Sequence, residues 1–173
     1  MPEQCLPDQL THIAPADLYA RFDYDWQAQY LTAPARASLL VLLSHWAFET
    51  AFGRACHRFN LGNFKHVKGD GHDYVMVAQA EIIGGKRVIV QPPDPATWLR
   101  AYQDLDGGAA DYFARLHKEF SSAWPFVVSG DVPGFGHALK LAHYYTDSEA
   151  NYTAGLLRCY HQLDTTIPAA SVA

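Results

Sequence analysis

The apolar residues change period several times along the chain, and each change marks an element. Residues 36–49, Arg36-Ala-Ser-Leu-Leu-Val-Leu-Leu-Ser-His-Trp-Ala-Phe-Glu49, are apolar nearly all round. That pattern predicts a central helix buried on every side. Thr32 can cap it, and Pro34 can occupy its first turn, where a missing N–H does no harm. Residues 53–73, rich in Gly, His, Asn and Asp, read as loop. Residues 74–83 and 86–91 are β-rich and flank Gly84-Gly85, which predicts a two-residue hairpin. Pro92, Pro93 and Pro95 then stop the sheet.

Further on the period becomes helical. Ala109, Phe113, Leu116 and Phe120 recur at helical spacing and predict an amphipathic helix. Residues 124–136, with their Pro and Gly, read as a connection to a helix near 137–144. Thr146-Asp147-Ser148-Glu149 reads as a capping box for a last helix carrying Tyr152, Leu156, Cys159 or Tyr160, and Leu163. Residues 1–31 scatter five acidic side chains (Glu3, Asp8, Asp17, Asp23, Asp25) and predict only a short helix at 15–21. The expected architecture is a helix-dominated α+β domain at 32–165 with one small β-hairpin lobe. Residues 1–31 form an N-terminal extension packed on it, and 166–173 a tail.

Composition narrows the function. The chain has 173 residues, 49% of them apolar and 18% charged, enough for one domain with a real core. A net charge of −5 without any Lys/Arg run argues against nucleic acid as a partner. The most apolar stretch, Leu39 to Phe48, is roughly ten residues and holds Ser44 and His45, so no stable membrane insertion is expected. No apolar h-region occurs in the first 30 residues. The expectation is synthesis in the cytoplasm without a signal peptide, with any action outside depending on non-classical delivery or lysis. Three cysteines (Cys5, Cys56, Cys159) and no C-x-x-C argue against a disulfide framework or zinc ribbon.

The residue that stands out is Glu49, a carboxyl ending the most apolar helix. Either it is half exposed there and pairs with Arg54, or it is enclosed. An enclosed carboxyl has its pKa raised and keeps its proton at neutral pH, as a general acid must. His45 lies one turn before it, but there is no H-E-x-x-H. His66, Asp70, His72 and Asp73 cluster in what reads as a solvated turn, and neither a metal nor another cofactor is expected. Cys56-His57 are neighbours on a loop, a poor geometry for a nucleophile and its base. No G-x-S-x-G, P-loop or dinucleotide fingerprint is present.

The run from Trp46 through Glu49, Gly53, Asn60-Leu61-Gly62-Asn63-Phe64-Lys65 resembles the glucosaminidase and lysozyme-like superfamily, including flagellar-rod and autolysin-type peptidoglycan glucosaminidases and phage-type members. In that superfamily a helix ends in a catalytic Glu, a Gly follows within a turn, and an Asn-Leu-containing loop follows about ten residues later. Trp98-Leu-Arg100-Ala-Tyr102 is similar to the segment the family leads into a helix. Tyr144-Tyr145-Thr146-Asp147 with Asn151-Tyr152 is similar to its Tyr-containing segment near the end. In order and spacing these pieces span residues 33–163. The Gly62-Asn63 order departs towards phage-type members and leaves the bond that is cut open.

The resemblance implies a lysozyme-like fold and cleavage of β-1,4 bonds between N-acetylated amino sugars of peptidoglycan glycan strands, in the manner of an endo-N-acetylglucosaminidase. Glu49 is then the general acid. Asn60 and Asn63 either orient a substrate group or close their loop by Asx turns. Glu81 is the candidate second carboxylate, ahead of Asp70 and Asp73, because in the superfamily the hairpin forms the opposite cleft wall. Otherwise it is an exposed strand residue near Lys86 or Arg87. A 2-acetamido group of the substrate can replace a second carboxylate. Tyr145, Tyr152, Tyr102 and Trp98 are candidates to line the cleft against sugar faces. The alternatives are a muramidase or lytic transglycosylase on the same fold, or a non-catalytic glycan-binding domain. A phage lysis system or a secretion machine is the expected delivery partner.

Overall fold

In the computed structural model, which describes residues 3–83 and 86–168, the chain runs α1 (Pro15–Tyr30), α2 (Arg36–Glu49), β1 (Asp73–Met76), β2 (Gln79–Ile83), β3 (Lys86–Val90), β4 (Trp98–Ala101), α3 (Leu105–Lys118), α4 (Trp124–Ser129), α5 (Val132–Leu141) and α6 (Glu149–Thr166). The all-round apolar stretch is the helix it predicts. Every residue of α2 from 38 to 47 is buried, and the other helices wrap it, with α6, α4 and α1 in contact. Its start is Ala35, not Thr32, and no side chain caps it.

Two close approaches set the geometry around α2. Gly155 of α6 lets the Phe48 ring lie directly on that helix; a Cβ there would come within 2.2 Å of the ring. The edge of Phe48 then meets Tyr152 with ring centroids 5.0 Å apart. The last turn of α2 and the first turn of α6 are thereby locked together, and Glu49 sits in that lock.

Residues 3–31 are part of the body. α1 continues past 21 to Tyr30, and Leu18, Tyr19, Phe22 and Trp26 bury one stripe in the same core as α2 and α6. Of its acidic residues Asp17 is exposed, while Asp25 is partly buried and bonded to Arg21. Residues 124–136 are also helical. Pro125 and Pro133 stand in the first turns of α4 and α5, where they start helices rather than break them. Consequently α5 begins earlier than the spacing near 137–144 predicts. Ser148, not Thr146, caps α6, accepting from Asn151 N at 3.2 Å.

The β lobe is two antiparallel ribbons. β2 pairs with β3, Ile83 opposite Lys86, in the hairpin register predicted; the Gly84-Gly85 turn itself lies outside the described residues. β1 pairs instead with β4, Asp73 opposite Ala101 and Val75 opposite Leu99. Val75 and Leu99 are fully buried and form a small second core with Ala101. The 74–83 run therefore divides between two partners, and a strand returns after the proline cluster. Among the described residues no helix is long and apolar enough to cross a membrane.

Candidate active site

Glu49 is the last residue of α2. Thr50 stops the helix: its hydroxyl donates to Trp46 O at 2.7 Å and accepts from Gly53 N at 3.0 Å. The chain then folds back through a loop that ends beside the carboxyl. Asn60 holds this loop. It is fully buried, its Oδ1 accepts from Phe64 N at 2.8 Å, and its Nδ2 donates to Phe64 O and Arg100 O at 2.9 and 3.0 Å. Gly62 lies under Tyr144, whose hydroxyl donates to its carbonyl, and a Cβ at 62 would strike the Phe64 ring at 2.7 Å. Asn63 is delivered to the helix end, where its Nδ2 donates to the Glu49 carbonyl oxygen.

The Glu49 side chain is 16% exposed. Its Oε1 accepts from the Tyr152 hydroxyl at 2.6 Å. Tyr152 is in turn stacked on Tyr145, ring centroids 3.6 Å apart and 5° between planes, while Tyr145 donates to Gly136 O at 3.0 Å. Burial pushes the Glu49 carboxyl up to about 7, against the lowering pull of Tyr152 and Asn63. Arg54 does not pair with it. At neutral pH a large fraction of such a carboxyl still carries its proton.

Glu49 opens onto a cleft of about 650 Å³ whose lining includes Asn63, Tyr145, Tyr152 and Asp147 on one side and Lys65, Gln79, Glu81 and Arg87 on the other. Glu81 lies on β2 and accepts from Lys65 Nζ at 2.9 Å. The cleft thus has a helical wall and a hairpin wall, each with one of the two glutamates. A smaller hollow of about 360 Å³ lies against α1 and α3. Its carboxylate, Asp25, is already held by Arg21 at 2.7 Å, so the larger cleft is the candidate site.

Of the residues read from sequence, Glu49, Glu81, Asn63, Tyr145 and Tyr152 meet in this cleft, and Asn60, Trp98 and Tyr102 do not line it. Asn60 spends its amide on the loop. Trp98 stacks on Tyr74 at 4.9 Å and donates to Pro93 O at 3.2 Å. Tyr102 is buried against Asp111, which also takes both Nη1 contacts of Arg100 at 2.9 Å, so it belongs to an ion network beneath β4. Tyr144, Phe48, Lys65 and Arg115 also line the cleft and were not singled out in the sequence. Tyr144 was within sight, in the same Tyr-Tyr-Thr-Asp segment as Tyr145.

The His/Asp turn has a structural task. His66 lies 3.1 Å from Asp70 and 3.6 Å from Glu3, whose carboxylate accepts from Gly71 N and Gly69 N at 2.7 and 3.0 Å. Asp70 also accepts from Arg100 Nε at 3.0 Å. Glu3, His66 and Asp70 are the described residues near enough together to share a metal ion. The contacts they make fasten the N-terminal segment to the loop.

Comparison with solved structures finds a similar fold elsewhere. A peptidoglycan hydrolase mutant from Sphingomonas sp. A1 matches with a TM-score of 0.61 and 19% identity over 88% of this chain and 94% of that one. A C-terminally truncated glycoside hydrolase domain from Salmonella typhimurium FlgJ matches with a TM-score of 0.56 and 18% identity, covering 88% and 99%. The chain has a lysozyme-like fold. In the lysozyme-like fold seen here, α2 supplies the cleft floor and the β lobe the facing wall, the arrangement the sequence resemblance implies. No protein-family model matches the chain, and no curated protein sequence does.

Proposed function

We propose that this protein is a peptidoglycan hydrolase that cleaves β-1,4 glycosidic bonds between N-acetylated amino sugars, in the manner of an endo-N-acetylglucosaminidase, with Glu49 as general acid. One observation carries the reading: a carboxyl with its pKa pushed up to about 7, at the floor of a long tyrosine-lined cleft. The named activities of the structural neighbours, a peptidoglycan hydrolase and a glycoside hydrolase domain, support the same reading.

The chemistry follows from the two walls. Protonated Glu49 gives its proton to the bridging oxygen as the C1–O bond breaks, and positive charge develops on the sugar ring. The Tyr152 hydroxyl holds Oε1 by donating to it, which stabilises the carboxylate left behind. Across the cleft, Glu81 offers an anion towards the developing charge, alongside the substrate's own 2-acetamido oxygen. Glu49, now ionised, takes a proton from the incoming water and is restored. Of the two stacked rings Tyr152 is buried, so Tyr145, half-buried and with Lys140 over its ring, is the one that can meet a sugar.

The test is mass spectrometry of peptidoglycan digested by the purified protein, with Glu49→Gln in parallel. The expected products carry N-acetylglucosamine at the reducing end, and the variant yields about 10²–10⁴-fold less of them in the same time. Reducing-end N-acetylmuramic acid means a muramidase, and anhydro ends mean a lytic transglycosylase. Binding without any product from the wild-type protein overturns the enzymatic reading.

A further inference from the structure

A buried ring nitrogen beside the site has no hydrogen-bond partner. His45 is on α2 one turn before Glu49, with no exposed surface, and its Nδ1 is 2.8 Å from the Tyr112 hydroxyl. Its Nε2 makes no hydrogen bond. That atom lies 3.8 Å from Glu49 Oε1 and points along the helix towards it. The ring is clamped by Phe135 and Tyr144, with centroids 5.4 and 5.0 Å away, so it has no other place to turn. A buried ring nitrogen left unpaired costs free energy comparable to a lost hydrogen bond, so this arrangement needs a reason.

We propose that His45 is a positioning residue for Glu49: Tyr112 donates to Nδ1, which places the single imidazole proton on Nε2 and aims it at Glu49 Oε1. This rests on the general-acid reading of Glu49. The Tyr112 hydroxyl can also donate to Leu42 O at 3.2 Å, but Nδ1 is the nearer acceptor at 2.8 Å and takes the hydroxyl proton in this assignment. With both the Tyr152 hydroxyl and His45 Nε2–H directed at Oε1, the transferable proton resides on Oε2. The gap of 3.8 Å closes with a small side-chain rotation when the carboxyl ionises and attracts the donor. His45 acts throughout as a neutral donor, since burial pushes the imidazole down to about 3.

Other groups near Glu49 make different demands on the test. Tyr112, Tyr144 and Tyr152 face it, and burial raises all three phenols well above 10, so they remain neutral. Across the cleft, Lys65 and Glu81 are paired with each other, and Arg115 is paired with Glu119 at 2.6 Å. Arg87, Asp147 and a second imidazole, His143, also line the wall. The decisive readout must therefore be the Glu49 carboxyl itself rather than activity alone.

The experiment is NMR on the intact chain without substrate. In the wild-type protein, ¹⁵N shifts of His45 should report a neutral ring protonated at Nε2; protonation at Nδ1 overturns the proposal without any variant. Next, the ¹³C-carboxyl titration of Glu49 is followed in wild type, His45→Asn and His45→Gln. Asn keeps an acceptor where Nδ1 was and loses the donor; Gln can return a donor near Nε2. Losing a donor to the ionised form raises a carboxyl pKa, so His45→Asn should move the Glu49 midpoint up by about half to one pH unit, and His45→Gln should bring it back. Should either variant fail to fold, Tyr112→Phe, which removes only the hydroxyl that sets the tautomer, should shift the ring proton towards Nδ1. Identical Glu49 midpoints in all folded variants overturn the proposal. In wall-lysis assays the falling limb above neutral pH should move up with the midpoint, and kcat should fall about tenfold with KM little changed. A moving midpoint in a protein that degrades no peptidoglycan would sink the proposed function and leave the His45–Glu49 contact standing.

Discussion

The two glutamates of the cleft differ only in their surroundings. Glu49 ends a helix that is buried on all sides, among Phe48, Tyr144 and Tyr152, and is 16% exposed. Glu81 stands on a two-stranded ribbon, is 27% exposed and is bonded to Lys65. Desolvation acts against the charged form of the first, whereas an ammonium accompanies the second. On the proposed reading Glu49 is the carboxyl suited to give a proton, and Glu81 faces the developing charge in a role that the substrate's 2-acetamido group can share. The difference is created by packing: α2 needs Gly155 to come close to α6, while β2 and β3 depend mainly on each other.

Removing the proton should produce the largest effect. Glu49→Gln is nearly isosteric, and we expect wall-degrading activity to fall by about 10²–10⁴-fold with the fold intact. Circular dichroism beside a turbidity assay checks both halves. In the wild-type protein, activity should decline as pH rises through about 7, where the acid loses its proton. A variant with substantial activity and unchanged products would remove Glu49 from the mechanism.

The same burial has a thermodynamic cost that can be measured. In the folded chain Glu49 titrates at about 7 against an ordinary value of 4.5. Between those values the folded state binds more protons than the unfolded state, so stability falls as pH rises from 4.5 to 7 and stays low above that. Gln has no proton to lose. Glu49→Gln should thus be more stable than wild type at pH 8, by up to about 3 kcal/mol, with the advantage gone near pH 4.5. Denaturant melts at the two pH values decide it. An equal difference at both would mean that the carboxyl is not desolvated.

How much of this was legible beforehand depends on whether the determining contacts were local. α2 could be read because an all-round apolar run has only one comfortable place, and Glu49 because a carboxyl there is out of character. The second half of α1 was legible in principle from Leu18, Phe22 and Trp26 at intervals of four, but the interleaved Asp23 and Asp25 obscured it. Pro125 and Pro133 were misread because proline ends a helix from inside and begins one from its first turn. The pairing of β1 with β4 joins residues 73–76 to 98–101, and no local pattern encodes that. Site residues divide the same way. Asn60, Trp98 and Tyr102 have side chains suited to sugars, yet the folded chain brings each a partner of another kind: Arg100 O for Asn60, the Tyr74 ring for Trp98 and the Asp111 carboxylate for Tyr102.

The helical wall can be sharpened through its two tyrosines. Tyr152→Phe removes the donor to Oε1 but keeps the stack on Tyr145, so activity should fall about 10- to 30-fold, the value of a hydrogen bond to a charged group. The Glu49 midpoint should rise at the same time. Tyr145→Phe loses only a bond to Gly136 O, and about a threefold loss or less is expected, since no acceptor on the reacting side is affected. Equal losses in the two variants, each matched by lower melting temperatures, would make both rings structural.

The hairpin wall should respond least. Lys65 and Glu81 form a pair whose side chains are 44% and 27% exposed, and such pairs contribute less than about 1 kcal/mol, so Glu81→Gln should barely move the melting temperature. Its effect on turnover depends on what faces the developing charge. Lys65 already neutralises part of the Glu81 field, and the substrate brings its own acetamido oxygen to the same side of the ring. We therefore expect Glu81→Gln to cost about tenfold or less in turnover, with the configuration at the new reducing end retained. The first-formed anomer, read by NMR within the first turnovers, tests the point separately from rate. Inversion, together with a loss of several orders of magnitude in Glu81→Gln, would mean that Glu81 activates a water across a wide gap. The hairpin wall would then carry chemistry equal to that of the helical wall despite its weaker anchoring.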